Sequence, residues 1–150
     1  MTSSTITLTA GTAARLAVVT QPTTAQSGIV FPVAPTVQVQ DAAGNPVSTT
    51  RSISVLSNSG SAALTGTLSR TTNASGLATF TGLVLTGSVG PNTLLFSSAG
   101  LTTDTTAVIN LTAGAATQLT MVQQPSASAA SGVAFVQQPT VQLRDGSGNP

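Results

Sequence analysis

Three carboxylates, Asp41, Asp104 and Asp145, are the only acidic side chains in the 150 residues, and Arg15, Arg51, Arg70 and Arg144 are the only basic ones. The chain has no Lys, Glu, His, Cys, Trp or Tyr. A glycosidase would need two carboxylates as a paired acid and base at a defined separation. A calcium site would need six to eight oxygen ligands, commonly with a bidentate Glu. Asp41 and Asp104 are the one pair on which either chemistry could draw, through loops expected at the same pole of a domain. Asp, however, commonly opens turns by bonding its own backbone, and turn capping is the expected role of Asp41 and Asp104. Ser and Thr abound, but a hydroxyl nucleophile needs a base and there is no His, Lys or Cys to serve. The expectation is therefore no catalytic residue, no metal ligand and no cofactor.

The same composition removes other classes. Nucleic-acid binding requires clustered Arg or Lys, usually with aromatic platforms, and four dispersed arginines do not supply it. Without Cys there are no disulfides and no thiolate chemistry, and without Lys no Lys–Asn isopeptide crosslink. No apolar run approaches the ~18 residues of a membrane span. Met1-Thr-Ser-Ser does not open a signal peptide, so an export signal is expected outside this stretch. Thr5, Thr7 and Thr9 alternate as an ice- or glycan-binding face would, but exposed strand positions favour Thr in any case. Asn73-Ala-Ser75 and Asn110-Leu-Thr112 fit the glycosylation sequon, which a chain rich in Ser and Thr contains by chance.

The elements that would carry these residues are organised by a self-match. Gly11, Leu16, Val19, Gln21 and Pro22 recur at Gly114, Leu119, Val122, Gln124 and Pro125. One extra residue enters before Ser131, after which Ser27, Gly28, Phe31, Pro35, Val37 and Gln38 meet Ser131, Gly132, Phe135, Pro139, Val141 and Gln142. Asp41, Gly44, Asn45 and Pro46 meet Asp145, Gly148, Asn149 and Pro150. A match at fixed spacing marks tandem domain-sized units, here of roughly a hundred residues, enough to bury a core. The division expected is residues 1–11 as the last strand of a preceding repeat, 12–112 as a complete repeat, and 113–150 as the truncated first part of the next.

Within the complete repeat, apolar residues alternate with polar ones at the strand period. Strands are expected over Leu16–Thr20, Thr36–Gln40, Ser52–Leu56, Ala63–Thr71, Leu77–Leu85 with a bulge at Gly82, around Leu94 and Phe96, and over Ala107–Leu111. Thr23–Ser27 reads as a loop, Gly28–Phe31 as an edge segment, and Val89–Asn92 as a turn. Phe31, Val37, Val39, Ile53, Val55, Phe80, Leu94, Phe96, Ile109 and Leu111 are the expected core. Seven short strands with turns about every ten residues predict an all-β, immunoglobulin-like Greek-key β-sandwich in tandem repeat. In residues 1–11, Ile6 and Leu8 of T-I-T-L-T correspond to Ile109 and Leu111.

The D-A-A-G-N-P-V turn after V-Q-V-Q, then N-A-S-G-L-A-T-F and L-L-F-S-S-A-G-L, resemble bacterial immunoglobulin-like (Big) repeats of the invasin and intimin type. The resemblance covers 12–112 and the opening of the next repeat. It implies a non-enzymatic spacer or stalk in a long secreted or surface-anchored bacterial protein. The implied partners are neighbouring repeats of the same chain, with any host glycan or protein bound outside this stretch, and with no nucleic acid or membrane insertion. The alternative is an adhesion module that holds a glycan or protein with loops at one pole. Interfaces of that kind lean on Trp, Tyr and Arg, of which only dispersed Arg is present.

Overall fold

The computed structural model describes residues 6–150, and among them are thirteen strands and no helix. The chain is all-β. Strands β1 (Arg15–Thr20), β3 (Thr36–Gln40) and β7 (Leu77–Thr79) form an antiparallel sheet in the order β1–β3–β7. A larger sheet runs β2 (Thr24–Gln26), β11 (Ile109–Thr112), β9 (Gly90–Ser97), β4 (Ser52–Ser59), β6 (Ser69–Thr71), with β10 (Asp104–Thr105) also on β9. β5 (Ala63–Thr65) pairs with β8 (Val84–Thr86), and β12 (Ala116–Gln123) with β13 (Thr140–Asp145).

Alternation decides which side chains turn inward, since successive residues of a strand face opposite sides. Leu16 lies opposite Val39 and Val18 opposite Val37, and Val37 in turn lies opposite Ala78. These five share one buried cluster with Ile53, Val55, Leu94, Phe96, Ile109 and Leu111 of the larger sheet. The rings of Phe80 and Phe96 meet inside it with centroids 5.0 Å apart and planes tilted by 60°, an arrangement worth about 0.5–1.5 kcal/mol beyond burial. All ten residues expected in the core are buried.

The strands themselves differ from expectation in several places, β4 running on to Ser59 and β10 being unforeseen among them. Ala63–Thr71 is two strands, β5 and β6, in different sheets, broken at Gly66 with φ +103°. Leu77–Leu85 is likewise two strands, and Gly82 (φ +81°) sits in a turn between β7 and β8 instead of in a bulge. The two breaks face each other, because a Cβ on Gly66 would stand 2.1 Å from the Gly82 carbonyl oxygen. Beyond the break the backbone changes partners: Phe80 N–H donates to Pro35 O, whereas Leu83 O and Leu85 O accept from Phe31 and Gly28. Thr23–Ser27 is not all loop, since Thr24–Gln26 form β2 and run parallel to β11 with Ala25 buried. The turn expected at Val89–Asn92 comes earlier, at residues 87–89, and Asn92 is buried inside β9.

Residues 6–10 form no strand, and Ile6 and Leu8 are 92% and 91% exposed. Residues 1–5, including Thr5 of the alternating threonines, lie outside the described part. In the second copy, β12 and β13 reproduce the β1–β3 register: Leu119 faces Leu143 and Met121 faces Val141, as Leu16 faces Val39 and Val18 faces Val37. The backbone recurs, but burial does not. Leu119, Met121, Val141 and Leu143 are exposed, while their counterparts are in the core.

Candidate functional site

Asp41 stands at the end of β3, where the chain reverses through Ala42-Ala43-Gly44-Asn45-Pro46. Its Oδ1 accepts the Asn45 backbone N–H at 2.8 Å, and its Oδ2 accepts Asn45 Nδ2 at 2.9 Å and the Gly11 N–H at 2.8 Å. Its main chain closes the turn in both directions, with Asp41 N–H to Asn45 O at 3.0 Å and Gly44 N–H to Asp41 O at 3.1 Å. Gly44 takes φ +92°, a conformation costly for other residues. Asp145 repeats the set: Oδ1 accepts the Asn149 N–H at 2.9 Å, and Oδ2 accepts Asn149 Nδ2 at 2.8 Å and the Gly114 N–H at 2.7 Å. Donors on every side favour the ionised carboxylate. The Asn45 side chain first, then the Gly11 and Asn45 amides, hold Asp41 down at about 2 against the opposing effect of burial. Asn149 and then Gly114 lead the same effect at Asp145, also to about 2.

Asp104 has a different task. On the outer edge of β1, Leu16 N–H donates to Thr102 O and Thr102 N–H to Ala14 O. At the next outward-facing amide the ladder has run out of carbonyls, and Val18 N–H is taken by Asp104 Oδ2 at 2.8 Å. Asp104 therefore seals an edge that would otherwise leave a buried donor unpaired. Asp41 bonds only its own turn and Gly11, whereas Asp104 bonds the Val18 amide of β1 and the Thr105 amide. The two carboxylates share no hydrogen-bond partner and are not brought together as a pair. Among the described residues no three His, Cys, Asp or Glu side chains gather into a metal-binding group.

The buried hydroxyls are structural as well. Thr72 Oγ1 donates to Thr49 O and accepts the Arg51 N–H, and Thr106 Oγ1 accepts the Leu94 N–H. Asn73 Oδ1 caps its own turn by accepting from Ser75 and Leu77.

One polar cluster joins Ser27 and residues 87–89 to the turn that follows β13. Asn149 Oδ1 accepts the Val89 N–H at 3.0 Å, and Asn149 Nδ2 donates to Gly87 O at 2.8 Å. The amide spans two groups of one backbone stretch, as a neighbouring strand would. Ser147 Oγ meets Ser27 Oγ at 3.2 Å, and Ser27 Oγ also accepts the Gly87 N–H at 3.2 Å. Gly114 lies so close that a Cβ there would stand 2.6 Å from Ser27 O. An open groove of about 360 Å³ runs along this junction, lined by Ser27, Thr86, Gly114, Asp145 and Ser147 among others. Asp145 and Asn149 are buried. The recurrence of Gly-Asn-Pro marks Asn149 in the sequence, whereas Ser27, Gly87 and Val89 carry no comparable signal.

No family model matches the chain, and no curated protein aligns with it. Among solved structures it is similar to a β-glycosidase from Bacteroides vulgatus, with TM-score 0.48 and 17% identity, covering 67% of this chain and 14% of that one. It is also similar to domains 4–9 of the surface layer protein SbsC, with TM-score 0.43 and 18% identity, covering 92% of this chain and 21% of that one. The chain thus spans a minor part of each.

Proposed function

We propose that this chain is a non-catalytic spacer from a tandem array of immunoglobulin-like β-sandwich units, in the stalk of a secreted or cell-surface bacterial protein. The observation that carries the reading is the duplicated aspartate turn, whose second copy is seated on the body of the preceding unit through Asn149, Ser147 and Gly114. The link between units is short: β11 ends at Thr112 and β12 begins at Ala116. A short link together with specific polar contacts restricts how successive units can swing, and stacked units of this kind extend as a semi-stiff rod. The carboxylates and the buried hydroxyls are committed to backbone donors and acceptors, which supports a structural use of each.

The test extends the full chain by inserting residues 11–113 again after Ala113, once, twice and three times. Small-angle scattering should show the maximum dimension growing by a constant step per insertion. Growth approaching the square root of the number of units, as for freely jointed domains, would refute the stalk reading.

A further inference from the structure

Asn45 and Asn149 occupy the same place in the same turn, with the same bonds to the preceding aspartate. Their surroundings differ. Asn149 is 6% exposed and its Oδ1 and Nδ2 clamp Val89 and Gly87 of the neighbouring unit, whereas Asn45 is exposed and, among the described residues, bonds only within its own turn. Gly11 shows the same contrast with Gly114: a Cβ on Gly114 would strike Ser27 O, while one on Gly11 would meet only Asp41. Ile6 and Leu8, just before Gly11, stand exposed where Ile109 and Leu111 are buried.

We infer that the outer end of the Asp41–Pro46 turn, with Gly11, is a docking surface whose occupant is the far pole of another unit of this same fold. The inference rests on the tandem-array reading and specifies its joint. The Asn45 Oδ1 accepts a backbone N–H from the loop equivalent to residues 87–89, and the second hydrogen on Nδ2 is donated to the carbonyl two residues earlier. Recognition is thus by main chain and by close approach: the partner needs a seryl carbonyl under Gly11 and an exposed amide and carbonyl at alternate positions. Ala43 stands where Ser147 bonds Ser27, so the Asn clamp is the element common to both joints.

The full chain with residues 11–113 inserted once after Ala113 tests this, because the inserted unit then presents its own Asn45 to the first unit. Hydrogen exchange at Val89 of the first unit is the readout. Asn45→Ala in the inserted unit should accelerate it by about tenfold, the worth of a net hydrogen bond. The same substitution in the first unit, which alters the turn but faces no unit upstream, should leave that amide unchanged. Gly11→Ala in the inserted unit, which keeps the Asn–Asp turn and obstructs only the approach, should also release it. Val89 exchange unmoved by both inserted-unit variants overturns the clamp, even if scattering still reports a rod. A compact or freely jointed scattering profile with Val89 still responding would instead overturn the stalk reading and leave the clamp standing.

Discussion

Phe96→Ala is the sharpest probe of the core. Phe96 is fully buried on β9, opposite Val55 on β4 and Asp104 on β10, with its ring 5.0 Å from that of Phe80. Phe96 is thus flanked by a paired strand on each side, and its ring meets Phe80 in the segment between β7 and β8. Truncation removes a whole phenyl group from a site held by hydrogen-bonded strands on both flanks, where collapse is restricted, so the cost should be about 3–5 kcal/mol. A domain of this size holds about 5–15 kcal/mol in all, so the variant should fold but melt at least ~12 °C lower, taking about 4 °C per kcal/mol as the lower bound. Urea unfolding must be followed by far-ultraviolet circular dichroism, because the chain has no Trp or Tyr. Val108→Ala, at a 51% exposed position immediately before the core residue Ile109, should stay within about 0.5 kcal/mol. A Phe96→Ala cost below about 1 kcal/mol, or equal costs for the two variants, would refute the shared-core reasoning.

The acid dependence should be simple. Asp41 and Asp145 sit at about 2 in the folded protein against 3.8 ordinarily, so the unfolded chain takes up protons more readily. Their stabilisation is complete above the unfolded value and is lost as pH falls through 3.8 towards 2. With no His, Lys, Glu, Cys or Tyr, the melting temperature should be flat between pH 8 and 5 and decline below about 4. Asp41→Asn should reduce that decline, and a steep change between pH 7 and 5 would contradict the assignment. Hydrogen exchange should further separate the two copies, with Val55 and Leu94 strongly protected and Leu119 and Leu143 weakly so. Among the described residues the β12–β13 pair is a two-stranded sheet with exposed apolar side chains, and two strands alone do not offset the cost of their ordering. Strong protection of Val141 and Leu143, independent of concentration, would contradict this.

The core was legible because burial on one face imposes a period of two, and a strand that slips by one residue would wet its whole apolar set. Val37, Val39, Ile53 and Val55 announce themselves by that pattern alone. The strand breaks were not legible, because an isolated glycine between apolar residues reads equally as a bulge or as a turn. At Gly66 and Gly82 the decision belongs to their mutual approach, which neither local sequence contains. β2 escaped because Thr24-Ala25-Gln26 has one small apolar residue. Its pairing comes from the exposed edge of β11, a partner more than eighty residues away in sequence.

The site divides along the same line. Asp41 and Asp145 were legible as turn-capping residues, since Asp-x-x-Gly-Asn-Pro contains its own donors and acceptors and occurs twice. Asp104 was visible as a carboxylate but not as an edge seal, because its partner is the Val18 amide, which any residue would offer. The joint was half legible for the same reason. One side is an Asn amide that recurs, and the other is the main chain of Gly87 and Val89, where the side chains are incidental and the loop occurs only once in this stretch. The decisive comparison is between Asn45 and Asn149: the same residue with the same bonds to the turn's aspartate, one exposed and one buried. The difference lies in the main chain of Gly87 and Val89, which Asn149 reaches from some sixty residues away in sequence.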